Sequence, residues 1–520
     1  VKQFFASLGD RINPIVVKEV RQAVNSRIVA GALLLFLFAQ MIVMAFQLVV
    51  KDDSTSSVSQ IDFRAGREIF GIVQGILVGT CIVVIPAFTG IRLASERSDV
   101  NVDLLFISTL SPRKIISGKC VAAALLAVLI FSACAPFMTF AYVLRGLDIA
   151  TILLILLADF FAVLLGTVFT VFLASIPATR AFRIFLGLIA LVGLAYLTGR
   201  TIMLGIGMLE TDFWLDTART EFWLGIAGAA LLVLGAIGLF FVWSVALISP
   251  VSANRALPVR LYTLGLWLVW GMIFAVTSVY VNEGEPMMVW GVFSAIFFSL
   301  QLLISVSERD EWGPRITKRI PKRTIFRIPA FFFFSGAAGG ILFAVFCGLL
   351  SVGLIYLFHW CYPSLHWRHW KDGPRISALI LGYTYCYCMS GVLIRRFGRS
   401  RGLDPSITWL VTFILVGLGS VLPFFVGLAL EDRMHRLMRD PDYKPLFLTS
   451  PIMAIDSDID NDFQEVNITA IFLLAWGTIV TVLNLGWLAS QMGKFRPPEP
   501  EYDDDEDSDE WPLTVVEEEK

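Results

Sequence analysis

Few residues in this sequence have both the type and the setting for chemistry. Asp159 stands in LLADFFAV and Arg200 in YLTGRTIM, each surrounded by apolar residues. Ionisable groups in such stretches face a bundle interior or a path through it, so both are candidate path-lining residues; for Asp159 a purely structural pair is an equal reading. His359, His366 and His369 crowd HWCYPSLHWRHW together with Cys361. Imidazole and thiolate in one loop are ligands for copper, zinc or haem. The same loop holds Trp360, Tyr362, Trp367 and Trp370, and an aromatic belt where a span meets water is the stronger reading. No metal and no cofactor is therefore expected. Gln40, Gln47, Gln74 and Asn484 lie in apolar runs and are expected to make helix–helix hydrogen bonds. HExxH and GxSxG are absent. Gly118-Lys119 lacks the upstream glycine and the following Ser or Thr of a phosphate-binding loop. The chain is not expected to be an enzyme.

The elements that position these residues are set by composition. Of 520 residues, 57% are hydrophobic and 16% charged, which excludes an ordinary set of soluble domains. Runs long enough to cross about 30 Å of hydrocarbon recur along the chain, and the period-two alternation of a β-barrel is missing. The expected class is all-α, a polytopic helical membrane protein. The formal charge of −2 hides an asymmetry: twelve acidic residues lie from Glu499 onward with only Lys520 basic among them, which leaves 31 acidic against 40 basic residues in the body. The basic body suits an anionic lipid face, and no nucleic-acid partner is expected. The seven cysteines match neither a disulfide framework nor a zinc pattern. The first span follows a charged lead and is too long for a signal-peptide core, so it is expected to be retained.

Two polar stretches carry the most information. In NPIVVKEVRQAVNSR, Asn13 reads as an N-cap and Pro14 as the first helical residue. Val16, Val17, Val20 and Val24 are expected on one face, with Lys18, Arg21 and Asn25 largely opposite, giving a helix that lies in the membrane interface. The second stretch is IRLASERSDVNVDLLFISTLSPRKIISGK, residues 91–119. Its five basic residues place it on the cytoplasmic side. Val100, Leu104 and Ile107 recur at helical spacing. Ser111-Pro112 then reads as a cap and first position of a helix running through Lys119 into the next span.

These residues resemble the coupling segment of ABC-2 type transporter permeases. The resemblance rests on Glu96-Arg97, then Asp103-Leu104-Leu105, then Ser111-Pro112, then Gly118-Lys119, in the family's order. Asn101, Val102 and Asp103 depart from its usual Thr-Leu-Glu. The N-terminal stretch, with Glu19 and Arg21, is similar to the family's interface helix. The resemblance covers about the first half of the chain. It implies the permease subunit of an exporter in a cell inner membrane, with a separate cytosolic ABC ATPase docking on Glu19, Arg21, Glu96, Arg97, Asp103, Leu104, Leu105, Ser111, Pro112 and Lys119. A secondary transporter driven by an ion gradient is the alternative, and a membrane enzyme acting on lipid-linked substrates a third reading.

Twelve spans are expected, at about 28–50, 70–90, 120–144, 149–177, 184–208, 223–249, 263–281, 288–306, 330–358, 376–394, 407–430 and 467–490. The organisation is an interface region at 1–27, a six-helix ABC-2-like domain at 28–249, a second six-helix domain at 250–490 and an acidic disordered tail at 491–520. With both termini cytoplasmic, inside segments hold 28 Lys and Arg and outside segments 12, as the positive-inside rule requires. Ser95-Glu96-Arg97 after the second span is echoed by Ser307-Glu308-Arg309 after the eighth. If the second set is not an equivalent half, a homodimer is expected to complete the path.

Overall fold

The structure, a computed structural model, describes residues 13–52, 63–96, 111–143, 147–177, 179–210, 220–250, 252–367, 372–398, 407–430, 448–451 and 466–498. Among them the protein is helical throughout, and eleven helices are long and apolar enough to cross a membrane. It is a multi-pass helical membrane protein by architecture. The acidic tail from Glu499 onward and the Val100–Ile107 stretch lie outside the described residues.

The chain divides into two compact units. The first comprises Val1–Val251 and Arg255–Trp290; the second comprises Ser252–Asn254 and Gly291–Lys520. The first unit opens with α1 (Pro14–Val24) and continues through α2 (Arg27–Asp52), α3 (Phe63–Glu96), α4 (Pro112–Val143), α5 (Ile149–Ala174), α6 (Arg180–Glu210), α7 (Thr220–Ile248) and α8 (Ala256–Val281). Helix α3 is its axis and packs against α2, α4, α5 and α6. Residues Phe70, Val73, Leu77, Val78, Cys81, Ile82 and Ile85 are buried along one side of α3. Lipid tails are as apolar as leucine, so these contacts are held by close packing rather than by escape from the surrounding solvent. Leu34, Leu35, Phe38 and Met41 on α2 are exposed for the same reason: an apolar side chain has nothing to lose against lipid. Pro86 and Pro136 sit inside α3 and α4. Proline removes a ladder bond, and beside it Thr170 of α5 donates to the Pro86 carbonyl at 3.1 Å.

Helix α9 (Glu285–Ser305) runs from the first unit into the second. The second unit then holds α10 (Pro314–Thr317), α11 (Thr324–Phe333), α12 (Ala337–Cys361), α13 (Asp372–Gly398), α14 (Thr408–Leu430) and α15 (Val466–Lys494). Helix α13 is the centre here and packs against α12, α14 and α15. Asn484 donates to the Met389 carbonyl at 3.0 Å, the helix–helix bond its setting suggested.

One span differs from expectation. The ninth was expected to start at 330, but the chain breaks between α11 and α12 at Phe334–Gly336, where Gly336 has φ 148. The backbone groups freed by the break find partners: Asn254 accepts from Ser335 N and donates to Phe333 O, and Glu308 accepts from Gly336 N at 2.7 Å. The eleventh expected span, 407–430, is the helix α14, which holds Pro423.

Arg395 near the end of α13 is buried against Asp310 at 2.9 Å, and Trp487 Nε1 donates to the same carboxylate oxygen at 3.3 Å. Removing one partner leaves the other charge buried alone. Asp310→Asn is expected to cost about 3–5 kcal/mol, read as a lowered thermal unfolding midpoint in detergent, with partial recovery when Arg395→Met is added.

Candidate functional site

The N-terminal helix α1 is shaped by its first two residues. Asn13 accepts a hydrogen bond from Ile15 N at 3.1 Å, and Pro14 occupies a position where a missing N–H costs nothing. The same Asn13 side chain donates to the Lys114 carbonyl at 2.6 Å, so the cap of α1 is also its first tie to the start of α4. At the other stretch, Ser111 O accepts from Lys114 N and Ile115 N, and Pro112 opens α4. The helix runs unbroken through Lys119 to Val143, as the Ser-Pro pair suggested.

Helix α1 packs closely on the head of α4 because Gly118 has no side chain. A Cβ there would lie 2.8 Å from Ile15 and 3.2 Å from Asn13 Nδ2. The close approach brings three distant residues together. Lys119 Nζ lies 2.6 Å from Glu19 Oε1 and 2.7 Å from Glu96 Oε2. The lysine is 2% exposed and Glu19 7%. Around this core, Lys18 reaches Glu96 at 3.4 Å, Arg92 Nε stands 4.0 Å from Glu19, and Arg92 also donates to Gln22. Arg92 lies over the Phe88 ring, 5.2 Å from its centroid. Beneath the charges, Leu93, Ile116, Val171, Val245 and Ile248 form a buried apolar cluster. An ammonium in such a place is tolerated only when paired and hydrogen-bonded, and two carboxylates supply that.

The face that α1 turns to α4 is distinct from most of its valines. Val16, Glu19 and Ala23 are buried, whereas Val17 and Val24 are more than half exposed. Helical geometry therefore gives α1 three sides: one packed on α4, one apolar and open (Val17, Val20, Val24), and one polar and open (Lys18, Arg21, Gln22, Asn25). The apolar side suits a membrane interface. Of the four valines expected on the membrane-interface face, Val16 alone is buried.

The structure thus brings Glu19, Glu96 and Lys119 into one cluster and leaves Arg21 and Ser111 exposed beside it, with Arg113 and Lys114. Glu19 and Lys119 are fasteners rather than surface. Arg97, Asp103, Leu104 and Leu105 lie outside the described residues.

The other candidates are separate from this cluster. Asp159, 1% exposed in the core of the first unit, accepts from Gln74 Nε2 at 3.1 and 3.3 Å. Gln40, also fully buried, donates to Val73 O at 3.0 Å and lies 3.7 Å from Cys134 Sγ. Both glutamines make the inter-helix bonds expected of them. The Gln47 side chain lies outside the described residues. Arg200 is not brought to Asp159; it is exposed on α6, in line with exposed Tyr196, Met203 and Leu204. Among the described residues no group of three His, Cys, Asp or Glu side chains is arranged to hold a metal. His359 packs edge-on against Trp367, their centroids 4.7 Å apart, Cys361 is exposed, and His369 lies outside the described residues.

No protein-family model, curated protein or solved structure matches the chain.

Lys119→Ala would leave Glu19 and Glu96 facing each other beneath α1, and is expected to lower stability by about 3–5 kcal/mol, seen as earlier thermal unfolding of the purified protein. Gly118→Ala, which sets a methyl against Ile15, is expected to cost about 1–3 kcal/mol in the same assay.

Proposed function

We propose that the chain is the membrane subunit of an ABC-2 type exporter, driven by a separate cytosolic ATPase. The observation that carries this reading is the buried Glu19–Lys119–Glu96 cluster. It joins an N-terminal interfacial helix, the end of the second long helix and the start of the third into one rigid corner. Those are the places where the sequence resembles the family's interface and coupling segments. A partner pressing on this corner moves α1, α3 and α4 as packed bodies, the kind of shift that bistable helix packing transmits. The face open to that partner is basic, with Lys18, Arg21, Arg113 and Lys114, so the ATPase surface is expected to be acidic. The open valine side of α1 rests in the lipid headgroup region.

In this reading both termini and the basic loop 307–329 are cytoplasmic, while the loop after α12 is outside. A second reading, an ion-gradient-driven transporter, is favoured by one observation, the carboxylate of Asp159 in the core of the bundle.

Affinity purification from native membranes, followed by mass spectrometry, tests the first reading. A stoichiometric P-loop ATPase is expected, lost on Arg21→Glu with Arg113→Glu while the variant keeps its elution volume and melting point. Absence of any such ATPase from the wild-type preparation contradicts the reading. Orientation has its own test: the exposed Cys361 is expected to react with an impermeant maleimide on intact cells, and labelling only after permeabilisation would reverse the topology.

A further inference from the structure

The centre of the first unit holds an imbalance of charge and hydrogen bonding. Asp159 stands about 16 Å along α5 from its start, in a helix about 39 Å long at 1.5 Å per residue, well inside the apolar stretch. Ile155, Ala162 and Val163 of the same helix are buried around it, with Leu77, Val78 and Cys81 of α3 in the same core cluster. Among the described residues no Lys, Arg or His lies within ion-pair reach of its carboxylate; its hydrogen-bond partner is the neutral amide of Gln74. The thiols of Cys81 and Cys134 are the titratable groups within electrostatic reach, and neither brings a positive charge.

The amide adds to the imbalance. Gln74 is fully buried, its nitrogen is spent on Asp159, and its oxygen has no hydrogen-bond partner. Gln40, whose nitrogen binds the carbonyl immediately before Gln74, likewise has a buried oxygen without a partner. Space for the Gln74 amide is made by Gly205 of α6, where a Cβ would collide with both amide heteroatoms. The core of the bundle therefore contains a carboxylate and two amide oxygens, all acceptors, with donors for only part of them. An isolated carboxylate in an apolar interior is too costly to remain uncompensated.

We propose that Asp159 and Gln74 form an exchangeable binding site for one small monovalent cation. The ligand chemistry is that of a hard cation: the acceptors are oxygens, and such ions take carboxylate and carbonyl ligands. One carboxylate balances one positive charge, and a divalent ion would leave an excess charge in the apolar core. The proton and the alkali ions share this chemistry. The position, deep in the bundle where helices meet, is the one at which coupling ions bind in other helical transporters. The site rests on neither transport reading, since a cation here can drive a carrier or serve as a fixed charge partner in an exporter.

Infrared difference spectra of the full chain in lipid nanodiscs test it, recorded on switching from choline to sodium at constant pH and on stepping pH in choline buffer. Wild type is expected to show a carboxyl band that Asp159→Asn lacks; Asn retains an acceptor for Gln74, so the bundle is kept. Appearance of that band on the sodium switch assigns an alkali ion, and its appearance on the pH step assigns the proton. Superimposable wild-type and Asp159→Asn spectra in both switches overturn the site. Gly205→Ala, which pushes the Gln74 amide aside, is expected to move the midpoint of the responding titration about tenfold, the effect of losing a hydrogen bond to a charged group. An unmoved midpoint removes Gln74 from the site.

Discussion

An ammonium group buried under a short helix is the constraint on which the N-terminal architecture of this protein depends. Lys119 is almost wholly shielded and is held by Glu19 on one side and Glu96 on the other. Neither carboxylate alone satisfies its three donors, and each comes from a different segment. An eleven-residue helix such as α1 is too short to be stable in isolation. It is helical here because Asn13 caps it, Gly118 lets it approach, and Lys119 gives its one buried acid a partner. These contacts lock 13–24, the end of α3 and the head of α4 into a single corner. The rim charges Lys18 and Arg92 are more open and add less, as surface pairs do.

The second unit solves the corresponding problem with different chemistry. After α9, Glu308 reaches the N–H of Gly336 at the head of α12, much as Glu96 reaches Lys119 at the head of α4. The two Ser-Glu-Arg stretches thus place their glutamates on comparable tasks. Where the first unit uses an ionic core, the second packs Phe495 between Trp312, Phe331 and Phe334, with ring centroids 5.1–5.3 Å apart. An aromatic cage needs no counter-charge and tolerates no gap.

Most of the helical framework was legible in the sequence, because bilayer thickness dictates length and hydropathy together. The break at Phe334–Gly336 was not, since FFFFSGAAGG carries no charge and the break is stabilised by Asn254 and Glu308 from elsewhere in the chain. The residues of the corner were legible through their order, but their partnership was not: Glu19 and Lys119 are 100 positions apart, and nothing local says that they meet. The valines of α1 marked its open apolar face, Val16 apart, but did not reveal that Glu19 packs inward. Hydrophobicity separates core from water, yet it does not separate core from lipid, so Val17 and Val24 point outward while Glu19 points in. Arg200 is exposed on α6, and its apolar run did not say which way it faces. Asp159 and Gln74 were each recognisable as polar residues out of place; only the fold pairs them.

The account turns on α1, α3 and α4 behaving as one body. Amide hydrogen exchange of the full chain in lipid nanodiscs measures this directly, comparing residues 14–24 with residues 112–119. The account predicts that both stretches exchange through one shared opening, and that Lys119→Ala raises the exchange of both together. Rapid exchange of α1 while the head of α4 stays protected in the unaltered protein would contradict it, because α1 would then be a loose appendage with no grip on the spans.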